Sequence, residues 1–200
     1  MNRGVPTEII EKNDAKFLKV NFGEDVFHLP FKMIGGRLVG FLDISGQYAL
    51  IECAADRLVA MFEEKGAQFD TILNPVSKSN ALAHAIAVRW AKLHPEFPVH
   101  TVVARKSSDP GNPVQYTYRS VTTAKDQTLS LTADDAAFVK GKKLLLLDDV
   151  FGGGGTTKAL RAMTELAGAE VSAHAVVAVE QGAAFPEDLY YLFELPVLDK

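Results

Sequence analysis

LLLLDDVFGGGGTTKALRAM, residues 144–163, is the stretch that decides the fold. Four leucines in a row suit a strand buried on both faces. Asp148 and Asp149 close the run, Gly152 to Gly155 follow, and a helical pattern runs from about Thr157 to Ala167, ended by Gly168. In an open α/β sheet, ligands bind beyond the carboxyl ends of the strands, where the two aspartates stand. The glycines let the backbone turn tightly and aim N–H groups inward. The positive end of the following helix faces the same concavity, and Thr156 and Thr157 add hydroxyl donors. This is a phosphate cradle beside two carboxylates. Carboxylates accept hydrogen bonds from sugar hydroxyls, so the segment by itself points to a sugar phosphate.

The competing reading is a buried strand ending in a flexible linker. Glycine loses more backbone entropy on ordering than any other residue, which makes four in a row without a task costly. The glycines are not followed by the Lys-Ser/Thr pair of the lysine-containing phosphate loop. Nor do they match G-x-G-x-x-G with a distant acid, because the acids come first.

Outward from this stretch, strand and helix patterns alternate. Residues 69–74 and 98–104 read as short apolar strands, and 171–179 as a second buried strand. A helix is expected over 47–65, with Tyr48, Ile51, Ala55, Leu58, Val59 and Phe62 on one face, Ser45 as its N-cap and Gly66 at its end. A second runs from about Asn80 to Leu93, where Pro95 stops it. Residues 105–113 have loop composition, 114–121 and 127–131 alternate as strands, and Thr132 caps a short helical turn. Two strands within 16–31, turning at Gly23 to Asp25, stand outside the alternation. The expectation is an α/β fold, a doubly wound, mostly parallel sheet in a single domain. Its core spans about 46–180. A small hood comes from the N-terminal hairpin (1–45) and the aromatic tail (181–200).

Two hundred residues allow little more than one domain, and a composition 48% hydrophobic and 23% charged excludes disorder over most of the chain. The net charge of -4 speaks against a dedicated nucleic-acid or membrane-surface binder. Cys53 is the only cysteine, so neither an intrachain disulfide nor a site of several thiolates can form. The start lacks the apolar run of a signal peptide, and no segment has 18 consecutive apolar residues, so a cytoplasmic location is expected. His174 falls in an apolar strand and reads as a core residue. Cys53 and the aromatics Phe185, Tyr190 and Tyr191 read as packing.

The 144–158 stretch resembles the phosphoribosyl pyrophosphate (PRPP) motif of type I phosphoribosyltransferases: apolar strand, two acids, two apolar residues, Gly/Thr loop. The resemblance implies that Asp148 and Asp149 hold the ribose 2- and 3-hydroxyls. The backbone of Gly152, Gly153, Gly154 and Gly155, with Thr156, would hold the 5-phosphate, and Val150 would lie against the base. Two positions depart from the pattern. Gly153 replaces a usual Thr, and Gly152 stands where hypoxanthine-guanine enzymes carry an acid. Residues 74–87 resemble the pyrophosphate loop of adenine-type enzymes, with Ser77, Lys78 and Ser79 in place of Ser-Arg-Gly. Lys78 keeps the charge of Arg without its fork. Residues 102–123 resemble the strand and mobile loop of adenine and xanthine enzymes, Arg105 and Lys106 matching an Arg-Lys pair. Thr117 follows Tyr116 where some adenine enzymes carry an acid. Gln181 stands at a lysine position of the xanthine type.

The resemblance implies transfer of the 5-phosphoribosyl group from PRPP to a purine base, adenine first, releasing pyrophosphate. Mg²⁺ would be carried by PRPP, with no direct protein ligand. Asp148, Asp149, Lys78 and Arg105 are the catalytic candidates, and Lys106, the second member of the matched pair, joins the pyrophosphate contacts. The partners implied are PRPP and a nucleobase, with a homodimer expected from the resemblance. The alternative is a non-catalytic PRPP sensor of the same fold.

Overall fold

The computed structural model describes residues 4–119 and 126–198. The chain runs β1 (Thr7–Lys12), β2 (Ala15–Asn21), β3 (Val26–Ile34), β4 (Arg37–Gly40), α1 (Tyr48–Glu64), β5 (Thr71–Pro75), α2 (Asn80–Leu93) and β6 (His100–Lys106). It continues through β7 (Val114–Arg119), β8 (Asp126–Leu131), α3 (Ala133–Val139), β9 (Lys143–Phe151), α4 (Gly155–Leu166) and β10 (Glu170–Glu180). Three short strands close it: β11 (Leu189–Tyr190), β12 (Phe193–Leu195) and β13 (Val197–Leu198).

The larger sheet has the order β11-β10-β9-β5-β6-β8-β7, with β12 also on β10. The pairs from β6 through β5 and β9 to β10, and those of β11 and β12 with β10, are parallel. The edge formed by β8 and β7 is antiparallel. This is the α/β sheet expected, with one mixed edge. Leu144 to Leu147 are wholly buried and divide between two cores. Leu145 and Leu147 join residues of α1 and α2, whereas Leu144 and Leu146 join Leu160 and Met163 of α4. The all-apolar run is therefore a strand covered by helices on both faces. Truncating one of these leucines to Ala would cost about 2–5 kcal/mol.

The hood is a second, antiparallel sheet, β1-β2-β3-β4-β13. Its hairpin turns at Gly23, whose φ is +108°. β1 escaped the sequence reading because its side chains are almost all exposed, so no alternation marks it. The aromatic tail does not belong wholly to the hood. β11 and β12 extend the core sheet beside β10, and only β13 crosses to pair with β4. The tail aromatics pack, as expected: Tyr190 meets Phe62 edge-on, and Phe185 meets both Phe151 and Tyr191.

Ser45 does not cap α1. Its N–H donates to Asp43 Oδ1 at 3.1 Å, a local turn, and the cap position falls to Gln47. Gly66 ends the helix region with φ +64°, as expected. Thr132 caps α3 by accepting from the Asp135 N–H. α1 and α2 are tied by Arg89, which reaches both Glu52 and Asp56 across the interface.

Candidate functional site

Three segments meet at the carboxyl end of the parallel strands: the end of β9 with its glycine loop, the turn after β5, and the hood. β9 runs two residues further than the leucine run suggested, through Val150 to Phe151. α4 begins at Gly155, two residues earlier than expected. Gly154 explains the early start: its φ of +74° ends the loop in a single left-handed step.

The glycine loop is crowded as well as bent. A methyl group on Gly155 would stand 2.8 Å from Tyr118 Cδ2 and 3.2 Å from the Arg119 carbonyl oxygen. On Gly152 it would stand 2.8 Å from Glu180 Oε2. Thr156 donates its hydroxyl to the Tyr118 oxygen at 3.2 Å, and Tyr118 donates to Gln127 at 3.3 Å. β7 thereby lies against the start of α4. The resemblance did not mark Tyr118. Its only sequence signal was an alternating strand between two loops.

Asp148 and Asp149 stand side by side before the loop. The Asp149 N–H donates to Asp148 Oδ1 at 2.8 Å, and the Val150 N–H to Asp149 Oδ1 at 2.9 Å. Burial, and after it the neighbouring Asp149 charge, holds the Asp148 carboxyl well above the usual carboxylate range. Asp149 Oδ2 is buried and has no hydrogen-bond partner. Lys78 Nζ stands 3.5 Å away as an ion pair. A buried carboxylate oxygen without a donor is costly unless a ligand supplies one.

Lys78 comes from the turn between β5 and α2. Ser77 and Lys78 are exposed at its tip. Ser79 faces the other way: it is fully buried and donates its hydroxyl to the Pro75 carbonyl oxygen at 3.2 Å. Its side chain braces the turn and does not open to the cleft. Beside it, Asn74 donates to Asn80 Oδ1 at 2.8 Å.

Arg105 and Lys106 end β6, one strand beyond β5, and are exposed there. Arg105 lies 3.9 Å from Asp135 of α3, so in this conformation its recorded partner is not in the cleft. Of the 102–123 stretch that resembles a strand and mobile loop, residues 120–123 lie outside the described residues.

The hood adds groups that the motifs did not reveal. The Phe41 ring lies 3.8 Å from Lys32 Nζ and 5.5 Å from Lys78 Nζ. Asp43 is held below its ordinary value, first by the Ser45 backbone N–H and also by Lys78 and Lys32. Glu180, at the end of β10, is raised by burial, with Arg37 of β4 opposing. Among the described residues no group of three His, Cys, Asp or Glu side chains is placed to hold a metal ion. Among the described residues no helix is long and apolar enough to cross a membrane. His174 is wholly buried, its Nε2 3.4 Å from Thr157 Oγ1, as the core reading expected.

The candidate site is thus a glycine loop at a strand-helix junction, beside paired acids and beneath an antiparallel hood. The family model for the phosphoribosyl transferase domain matches residues 47–198. The chain belongs to this family, and is a phosphoribosyltransferase. No curated protein matches it by sequence. Among solved structures, it is similar to the adenine phosphoribosyltransferase of Thermoanaerobacter pseudethanolicus, at 21% identity over 75% of this chain and 83% of that one, with a TM-score of 0.58. The Trypanosoma brucei adenine enzyme, solved with AMP, pyrophosphate and ribose-5-phosphate, is 19% identical over 76% of this chain and 67% of that one, with a TM-score of 0.55. The Saccharomyces cerevisiae enzyme is 16% identical over 94% and 84%, with a TM-score of 0.53. At these identities the likeness shows the shared fold.

Proposed function

We propose that the protein transfers the 5-phosphoribosyl group from PRPP to a purine base, with adenine the first choice, releasing pyrophosphate. One observation carries the reading: the buried, donor-less Oδ2 of Asp149, 3.5 Å from Lys78 Nζ and three residues before the first glycine of the loop. A ribose hydroxyl supplies the missing donor. Lys78 faces a pyrophosphate leaving from the anomeric carbon, and the start of α4 holds the 5-phosphate. No simpler phosphate ligand uses all three.

Asp148 and Asp149 orient the ribose and favour the positive charge that grows at the anomeric carbon as the leaving group departs. Lys78 stabilises the charge gathering on pyrophosphate. Ser77, at the exposed tip of the same turn, adds a hydroxyl contact in this reading. Arg105 and Lys106 join only if the Arg105–Asp135 pair opens. Mg²⁺ carried by PRPP, with no direct protein ligand, would neutralise part of the leaving group's charge. Val150 supplies an apolar contact for the base. The closed site excludes water, which would otherwise hydrolyse PRPP. A homodimer, expected from the resemblance, and a cytoplasmic location, expected from the sequence, are part of this reading.

Calorimetry of the intact protein with PRPP and with ribose 5-phosphate tests the assignment. Asp149→Asn should weaken both ligands, because the ribose contact is common to them. Unchanged binding of both by this variant would remove Asp149 from the ligand site and the reading with it.

A further inference from the structure

The transfer leaves one chemical need unassigned. A base that attacks through a ring nitrogen bearing hydrogen must give up that proton. Asp148 and Asp149 are committed: each accepts a backbone N–H, and Asp149 is paired with Lys78. A third carboxylate stands at the mouth of the cradle. Glu180 follows Val179, which pairs with Phe151 of β9, so its side chain leaves the sheet level with Gly152. It folds over that glycine: the position a methyl group on Gly152 would take lies 2.8 Å from Glu180 Oε2 and 2.9 Å from Cδ. A side chain at 152 would require the Glu180 carboxylate to swing away. The glycine and the glutamate therefore form one arrangement, in which a carboxylate from the neighbouring strand occupies the space beside the first loop residue.

We propose that Glu180 accepts the proton of the incoming base, an inference that rests on the PRPP-to-purine reading. Val150, two residues before Gly152, provides the apolar surface for the ring, and Glu180 meets the edge that carries the N–H. The bond from the ring nitrogen to the anomeric carbon forms as the bond from that carbon to the pyrophosphate oxygen breaks. The electron pair of the broken bond leaves on pyrophosphate. The proton of the ring nitrogen passes to the Glu180 carboxylate and from there to solvent. The same contact selects bases that present a ring N–H at this edge, the imidazole side of a purine.

The surroundings suit a proton acceptor. Glu180 is only partly exposed, which raises its carboxyl above the ordinary value and makes the ionised form a stronger base. The charge of Arg37, from β4 of the hood, opposes that rise. β9 offers Val150 and Phe151 nearby, and β12 pairs through Leu195.

Glu180→Gln, which keeps size and removes the acceptor charge, tests this in the intact enzyme. The expected result is a fall of about a hundredfold in kcat with the preferred base, loss of the acid limb of the pH profile, and unchanged PRPP affinity by calorimetry. Glu180→Asp should recover part of the rate and restore the acid limb. Wild-type kcat and an unaltered acid limb in Glu180→Gln would overturn the proposal. So would a loss of PRPP affinity matching the loss of rate, which would make Glu180 a brace for the loop. Pyrophosphate release by the wild-type protein is measured first. Silence with every base would overturn the transferase reading itself, and this proposal with it, whereas failure of the variant alone leaves that reading standing.

Discussion

Lys78 Nζ lies 3.5 Å from Asp149 Oδ2, which joins the turn after β5 to the end of β9 at one point. One member is about half exposed and the other nearly buried, so the pair is more than a surface ion pair and less than a sealed one. It places a mobile cation against a fixed acid, as a charged leaving group beside a ribose requires. Lys78→Ala should weaken PRPP about tenfold or more while sparing ribose 5-phosphate. Calorimetry with the two ligands reads the difference. Equal weakening would mean that Lys78 does not face the pyrophosphate.

Gly155 has no room for a side chain, with Tyr118 Cδ2 and the Arg119 carbonyl oxygen 2.8 and 3.2 Å from where a methyl group would go. Gly155→Ala should force β7 off the start of α4, destabilising the fold by about 1–3 kcal/mol. Ribose 5-phosphate binding should weaken alongside. Urea unfolding and calorimetry measure the two effects, and an unchanged midpoint would show that Tyr118 moves aside freely.

Tyr118 also holds the Thr156 hydroxyl at 3.2 Å. Tyr118→Phe keeps the ring and removes that acceptor. The hydroxyl is then free for a phosphate oxygen, so the affinity for ribose 5-phosphate should rise by up to about tenfold, one neutral hydrogen bond's worth. A fall in affinity would indicate that the tyrosine oxygen itself serves the phosphate.

His174 is wholly buried and held down to about 4, chiefly by burial and then by the Arg161 charge. Its folded-state value lies below the unfolded one, near 6.5, so the folded protein keeps it neutral where the unfolded chain takes up a proton. The contribution to stability is complete above about pH 6.5 and is lost progressively as pH falls toward 4. Between pH 7 and 5 the loss should be about 2 kcal/mol. Urea unfolding at the two values checks it. A His174→Gln variant should show a shallower fall, and an identical fall would assign the acid sensitivity to other groups.

Much of this arrangement was legible in the sequence because local chemistry forced it. Four buried leucines, two acids and a glycine run leave few structures open, and the strand, cradle and helix stand where that pattern put them. α2 was equally clear, bounded by a polar turn and Pro95. The hood was half legible: β2 and β3 alternate, whereas β1 is exposed on nearly every residue and carries no pattern. The division of the tail was hidden because two- and three-residue strands owe their pairing to β10 and not to their own composition. Ser79 illustrates a limit at the site. Its place in the loop made it a candidate contact but did not show that the turn buries its hydroxyl against the Pro75 carbonyl oxygen. Glu180 and Tyr118 lie 28 and 37 residues from the glycines they touch, a closeness that only strand pairing creates. The absence of a side chain at Gly152 was visible in the sequence. What fills the space was not.

The central claim is transfer of the phosphoribosyl group to a purine. Pyrophosphate release from PRPP and Mg²⁺, measured with each nucleobase added singly, tests it most directly. The account predicts release that depends on one purine base, adenine before the others. Saturable PRPP binding with no release for any base would contradict it and leave a protein that senses PRPP without acting on it.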